Sequence, residues 1–166
     1  MRLSGVIAGA ALVAATIFGT AAQAAGPFDP FRVGNWKGGA YTSNKTGEFS
    51  HCAASVRYKS GIIVSIHVTR KAKWRMGLGH RNWNLTKGRI IRFGLTFDGV
   101  GPIRVRGLAI SSKVAIIPMP NNSRVIRLFR NATRMNMFVD GHLFNFRLDG
   151  TQRLLPALVR CVRRNR

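Results

Sequence analysis

Residues 48–69 read EFSHCAASVRYKSGIIVSIHVT, and this stretch decides the fold class. In its second half, residues 62–69, Ile62, Val64, Ile66 and Val68 occupy every other position, and from Ser65 onward polar residues lie between them. Because successive side chains of a strand point to opposite faces, this alternation predicts a half-buried β-strand. Residues 48–58 are a second strand candidate with Cys52 and Ala54 on one face, and the short turn between the two segments predicts a hairpin.

Similar patterns predict further short elements on both sides of this hairpin. Residues 36–41 open the domain, and more strands are predicted at 89–97, 103–111, 113–118, 135–139 and 143–148. Ser123 is the candidate N-cap of a short helix that reaches about residue 131, and residues 152–162 predict a C-terminal helix with a leucine-rich stripe. We therefore expect a mainly β fold, a single β-sandwich or open barrel of about seven short strands with one or two short helices.

Two segments lack a regular pattern. Residues 25–35 are punctuated by Pro and Gly and predict an aperiodic lead-in segment. Residues 70–88 are irregular and strongly basic, and they contain two tryptophans. We expect the folded unit to be one β-rich domain over residues 36–166.

The N-terminus has the order of features that is typical of a signal peptide. Arg2 is followed by an uncharged apolar stretch over residues 3–22, and Ala22-Gln23-Ala24 provides small residues before a cleavage point. A retained membrane anchor is the alternative, because about 20 apolar residues can span a bilayer. The Ala and Gly content and the cleavage site favour removal of residues 1–24, which predicts a periplasmic or secreted protein without a later transmembrane segment.

Positive charge is the second strong signal in the sequence. The chain has 27 Lys and Arg against 5 Asp and Glu, so the chain without Arg2 and the rest of the signal peptide has a net charge of 26 − 5 = +21. A small domain ordinarily carries a net charge of roughly 2–8 in magnitude, and the excess attracts polyanions and anionic surfaces. Biased codon usage could explain why Arg outnumbers Lys, but it does not explain the scarcity of acids.

Catalytic and metal-binding patterns have little support. Cys52 and Cys161 are an even pair in an exported chain, which predicts a disulfide between an early strand and the C-terminal helix. His51 precedes Cys52, but neighbouring strand residues point to opposite faces and a disulfide would remove the thiolate. The four histidines have no paired spacing, and of only five acids in the chain, Asp98, Asp140 and Asp149 each precede a Gly in a turn-like context, which leaves little for a carboxylate pair or a metal site. We expect no enzyme activity, no metal and no small-molecule cofactor.

Four segments of the chain resemble known proteins. They are Trp36–Tyr41 (WKGGAY), Phe49–Ser55 (FSHCAAS), Tyr58–Gly61 (YKSG) and Leu154–Val162 (LLPALVRCV). Together they are similar to a family of small secreted alphaproteobacterial proteins that has no assigned function. The late strands and the C-terminal helix also resemble, more loosely, the invasion-associated locus B family of periplasmic β-sandwich proteins. Neither resemblance implies catalytic residues. The first includes tryptophans near residues 74 and 83, which implies core anchors there rather than exposed platforms for stacking.

Clusters of cations are the remaining candidates for a functional site. The first cluster falls within 23 residues around the two tryptophans, and the second would line one side of the short helix if that helix extends far enough. The candidate anion-binding residues are Arg70, Lys71, Lys73, Arg75, Arg81, Lys87, Arg89, Arg92, Arg124, Arg127, Arg130 and Arg134. We expect a non-enzymatic exported domain that binds lipopolysaccharide, an acidic polysaccharide, nucleic acid or an anionic membrane surface. The alternative is a structural or accessory envelope protein that binds another protein.

Overall fold

The structure, a computed structural model, describes residues 27–166, so the predicted signal peptide at residues 1–24 lies outside the described residues. These residues form ten β-strands and two α-helices. In chain order they are β1 (Phe28–Val33), β2 (Trp36–Thr42), β3 (Phe49–Arg57), β4 (Ile63–Thr69), β5 (Trp74–Gly79), β6 (Ile90–Phe97), β7 (Val100–Ala109), β8 (Val114–Pro118), α1 (Ser123–Asn131), β9 (Arg134–Val139), β10 (His142–Arg147) and α2 (Thr151–Asn165). Neither helix is long and apolar enough to cross a bilayer.

All ten strands belong to one antiparallel sheet in the order β1-β2-β3-β4-β5-β8-β7-β6-β9-β10. The sheet curls so that its two ends approach each other. The Tyr58 hydroxyl after β3 donates a hydrogen bond of 2.6 Å to the carbonyl of Arg147 in β10. The indole N–H of Trp36 in β2 donates to the Asp149 carbonyl at 2.9 Å. The result is a mainly β architecture between a sandwich and an open barrel, as the sequence predicts.

Helix α2 packs against the inner face of β1 to β4. The inner face offers small side chains there, because Ala40 of β2 and Cys52 and Ala54 of β3 are buried and point toward the helix side of the sheet. Small residues let the helix approach the strands closely, and the leucine-rich stripe of α2 fills the space between the two halves of the sheet. The predicted disulfide between Cys52 and Cys161 is confirmed and joins β3 to α2 at this contact.

Helix α1 closes the core beside α2. Its N-cap is Asn122 rather than the predicted Ser123, because the Asn122 side chain accepts a hydrogen bond of 2.9 Å from the Val125 N–H. Pro156 lies inside α2 and has no N–H to donate to the Gln152 carbonyl. The Arg130 Nε of α1 donates to that carbonyl at 3.4 Å instead, so a side chain of one helix provides the hydrogen bond that the backbone of the other helix lacks.

Several strands follow the predicted patterns within a few residues, and two do not. The hairpin of β3 and β4 is confirmed, with Ile66 opposite Ala54. Strand β1 lies in the predicted lead-in and pairs with β2, and β5 lies in the stretch predicted to be irregular. Strand β1 has no fully buried residue, so it depends on its pairing with β2 rather than on a local pattern. In β5, Trp74, Met76 and Leu78 alternate and are buried, which is a strand pattern that the surrounding basic residues obscured in the sequence analysis.

The disulfide joins two cysteines that are 109 positions apart in the sequence, so its removal should reduce stability. We expect the Cys52→Ala/Cys161→Ala variant to lose about 2–5 kcal/mol of unfolding free energy, because the unfolded chain gains conformational freedom when the cross-link is absent. Denaturant unfolding followed by circular dichroism measures this loss. An unchanged denaturation midpoint relative to the parent protein would contradict a stabilising role of the disulfide.

Candidate anion-binding site

The five acidic side chains within residues 27–166 all have hydrogen-bond or ion-pair partners. Four of them form ion pairs with nearby arginines. These pairs are Asp29–Arg164, Glu48–Arg70, Asp140–Arg89 and Asp149–Arg147. The fifth, Asp98, accepts hydrogen bonds from the backbone N–H groups of Thr133 and Arg134, both at 2.9 Å. These hydrogen bonds, of which the one from Thr133 has the largest effect, hold the pKa of Asp98 below its usual value. The other Lys and Arg side chains of residues 27–166 form no ion pair with a carboxylate.

An open groove with a volume of about 870 Å³ lies on the outer face of β6, β7 and β9. Its cations are Arg92 of β6 and Arg104 and Arg106 of β7, all exposed. Gly94 forms the floor, between Pro102 on β7 and Phe138 on β9. We call this the arginine groove and define it by Arg92, Gly94, Pro102, Arg104, Arg106 and Phe138.

Strand pairing places the positive charges of the groove side by side. Arg92 of β6 stands directly opposite Arg106 of β7, and Arg104 stands opposite Gly94. Like charges directly opposite on neighbouring strands destabilise a sheet, and here no carboxylate of residues 27–166 forms a hydrogen bond or ion pair with them. Guanidinium groups in this arrangement can donate paired hydrogen bonds to the oxygens of a phosphate or a carboxylate.

Gly94 gives the groove its depth. A Cβ atom built on Gly94 would lie 3.7 Å from the Cβ of Phe138 and 3.8 Å from the Cβ of Pro102, which are ordinary contact distances. Alanine would therefore fit at this position, whereas a larger side chain would extend into the space between the arginines. The absence of a side chain leaves room for a ligand over the sheet.

The structure divides the first predicted cluster of cations among separate places. Arg70, Lys71 and Lys73 lie at the β4–β5 turn, whereas Arg81 and Lys87 lie in the loop at the other end of β5. Six strand residues separate the two groups, which corresponds to about 20 Å.

The other members of that cluster are also dispersed. Arg75 is on β5, and β8 and β7 separate that strand from β6 with Arg92. Arg89 precedes β6 and pairs with Asp140 at 3.3 Å. Of the first cluster, only Arg92 is in the arginine groove.

The second predicted cluster has one residue fewer on the helix than the sequence suggests. Arg124, Arg127 and Arg130 are on α1, but the helix ends at Asn131 and Arg134 belongs to β9. Arg124 and Arg127 border a smaller depression of about 310 Å³ beside the turn of β6 and β7. Arg130 is used in the contact with α2 that was described above.

The two tryptophans in the basic stretch pack with the core and are not exposed platforms. Trp74 is buried, its ring contacts that of Phe129 at a centroid distance of 5.2 Å, and its indole N–H donates to the Pro120 carbonyl at 3.1 Å. Trp83 is partly buried and packs against the core. The expectation of core anchors is met, which removes the stacking surface that single-stranded nucleic acid would use.

Two histidines that show no spacing motif in the sequence are brought together by strand pairing. His51 of β3 stacks on Tyr41 of β2 and on His67 of β4, with ring centroids 5.2 Å apart in both contacts. The His67 Nε2 atom is 2.8 Å from the Ser65 hydroxyl oxygen. This row lies on the outer face of the other half of the sheet, away from the arginine groove. Within the described residues, no three metal-ligating side chains come together, and both cysteines are in the disulfide.

Arg104 and Arg106 are the groove residues that the sequence analysis missed. Both occupy outward positions of a strand that the sequence predicts at residues 103–111, and an outward pair of arginines on an alternating strand was the available signal. Their position opposite Arg92 depends on the pairing of β6 with β7, which only the three-dimensional structure provides.

The arrangement belongs to the class of mainly β domains in which one curled antiparallel sheet encloses a C-terminal helix. The crystal structure of invasion associated protein B from Bartonella henselae has a similar fold, with a TM-score of 0.58 and 12% sequence identity over 82% of this chain and 99% of that chain. The likeness to the invasion-associated locus B proteins is thus confirmed at the level of the fold. The chain matches no protein-family profile, and no curated protein is significantly similar to it in sequence.

The histidine row makes the fold sensitive to acid. Burial, with contributions from His51 and Arg75, lowers the pKa of His67 to about 4, and burial followed by Arg75 also lowers the pKa of His51. Unfolded histidine takes up a proton below about pH 6.5, whereas folded His67 does so only near pH 4, so the free energy of unfolding should fall across this window. We expect His67 to account for about 3 kcal/mol of this fall, as measured by denaturant unfolding at pH 7, 5.5 and 4.

The matched comparison uses His67→Gln and His142→Gln, since His142 is an exposed histidine on β10. The first substitution should flatten the dependence of stability on pH between pH 7 and pH 4, and the second should leave it unchanged. Equal slopes in the parent protein and in His67→Gln would show that His67 is not responsible.

Proposed function

We propose that this protein is an exported, non-enzymatic domain that binds anionic partners through the arginine groove. The observation that carries the proposal is the opposition of Arg92 and Arg106, with Arg104 beside them, where no carboxylate of the described residues pairs with them. A ligand that bears phosphate or carboxylate groups would offset the repulsion between these guanidinium groups. Lipopolysaccharide, acidic polysaccharide and nucleic acid all carry such groups.

The overall charge supports the same proposal. The chain carries 27 cationic and 5 acidic side chains, so long-range attraction would concentrate polyanions near its surface. Binding driven by this attraction releases counterions, and the affinity should fall steeply as the salt concentration rises. The groove would add local contacts to this general attraction.

Export from the cytoplasm is also part of the proposal. The Cys52–Cys161 disulfide favours an oxidising compartment, such as the periplasm or the extracellular space. The N-terminal signal pattern and the resemblance of segments such as Phe49–Ser55 to a secreted family point to the same place. A periplasmic location would bring the arginine groove to the anionic components of the cell envelope.

Removal of the groove arginines should weaken binding to a soluble polyanion. We expect Arg92→Gln/Arg104→Gln/Arg106→Gln to bind heparin at least about tenfold more weakly than the parent protein at low salt, because each arginine donates charge-assisted hydrogen bonds. The slope of log affinity against log salt should also decrease, by about one for each arginine that contacts the polymer. Isothermal titration calorimetry at several salt concentrations measures both effects.

The matched control is Arg153→Gln/Arg160→Gln/Arg163→Gln, which removes the same charge from exposed positions of α2. Equal losses in the two triple variants would mean that net charge alone governs binding and that the groove has no special role. Gly94→Leu provides a second test, because it fills the groove and removes no charge. It should also weaken binding, and an unchanged affinity would contradict a ligand seated between the arginines.

Processing of the N-terminus has a direct test. We expect N-terminal sequencing of the natural protein to begin at Ala25, in a periplasmic or extracellular fraction, because Ala22-Gln23-Ala24 provides the cleavage site. An intact Met1 in the cytosolic fraction would rule out the proposed export.

A further inference from the structure

The arginine groove does not stand alone on its face of the sheet, because exposed apolar side chains border it on two sides. Ile90 of β6 stands opposite Leu108 of β7, and Phe138 of β9 stands opposite Leu143 of β10. Between 44% and 65% of the surface of each of these four side chains is exposed. Large apolar side chains in a connected group on a surface mark a site of interaction.

The register places the cations between the two apolar pairs. Along β6, Arg92 follows Ile90 by two residues, and Gly94, which is opposite Phe138, follows Arg92 by two more. Along β7, Arg106 and Leu108 are neighbours on the same face in the same way. The face therefore alternates between apolar patches and guanidinium groups over about 13 Å of strand length.

From this arrangement we infer that the face formed by Ile90, Leu108, Phe138, Leu143 and the arginine groove binds the surface of an anionic lipid bilayer. The inference rests on the proposed function, and it names the source of the anion as the phosphates of lipid headgroups. Arginine side chains would contact those phosphates, and the apolar side chains between them would enter the boundary between headgroups and acyl chains. A soluble polysaccharide would leave the same apolar side chains in water.

Two other occupants fit the face less well. A second copy of this chain would set Arg92, Arg104 and Arg106 against like charges, and the five acids are engaged elsewhere. Single-stranded nucleic acid binds through several exposed aromatic rings. Of the side chains that β6, β7, β9 and β10 direct outward, only Phe138 is aromatic.

Vesicle binding distinguishes the lipid surface from a soluble anion. The natural protein, purified in the form in which cells accumulate it, is mixed with vesicles of phosphatidylcholine alone or with 30% phosphatidylglycerol (about one anionic lipid in three). We expect affinity for the anionic vesicles to be at least about tenfold higher, and we expect the triple arginine variant of the groove to lose this difference. Vesicle sedimentation measures the bound fraction.

The apolar side chains are tested separately from the charges. Ile90→Ser/Leu143→Ser keeps every residue that defines the arginine groove and should bind anionic vesicles at least about tenfold more weakly, because two apolar side chains no longer enter the lipid. Its affinity for heparin should be unchanged. Phe28→Ser is the control, since Phe28 is 39% exposed on the opposite edge strand and Leu143 is 52% exposed. This control should bind vesicles as the parent protein does.

The outcomes separate the two proposals. Unchanged vesicle affinity in Ile90→Ser/Leu143→Ser would overturn the lipid inference. Binding to heparin without binding to anionic vesicles would overturn it too and leave the proposed function standing, whereas binding to neither would end both. If the parent protein self-associates in analytical ultracentrifugation and the apolar variant does not, the face belongs to a second copy and the lipid inference is wrong.

Discussion

The contact between helix α2 and the inner face of β1 to β4 is the constraint on which the rest of the structure depends. The two halves of the curled sheet leave a space that side chains of the strands do not fill alone, and the leucine stripe of α2 occupies it. The Cys52–Cys161 disulfide holds the helix where the strands carry small residues. Since this contact settles which face of the sheet is inside, it also decides which face carries the charges.

Scarcity of acid has a direct structural consequence. Of the five acidic side chains in the chain, four pair with arginines, and the fifth, Asp98, binds the backbone of Thr133 and Arg134. No acidic side chain therefore remains as a partner for the arginine groove. Exposed ion pairs of this kind contribute little to stability. The larger effect of the imbalance is on the surface, where adjacent guanidinium groups lack internal counterions and favour an external one.

The outer face of the sheet differs between its two halves. Strands β2 to β4 carry the row of Tyr41, His51 and His67, which is half-buried and uncharged near neutral pH. Strands β6, β7 and β9 carry the arginine groove with Phe138 beside it. The same antiparallel sheet thus separates a polar aromatic row from a cationic and apolar face.

Local patterns in the sequence determined the fold class and most of the elements. The alternation in residues 62–69 and the leucine stripe of α2 each depend on neighbouring residues only, so they can be recognised without a structure. Cys52 and Cys161 could be paired because the chain has no other cysteine. The net charge likewise predicted an anionic partner but indicated no place on the surface for it.

Tertiary structure alone decided which distant residues meet. Strand β1 forms because a neighbouring strand provides hydrogen-bond partners, and His51 reaches His67 only through the register of β3 with β4. In the same way, the opposition of Arg92 and Arg106 depends on the pairing of β6 with β7. Pairing register depends on two segments together. The sequence of one segment therefore determines which of its side chains share a face, but not which strand it pairs with.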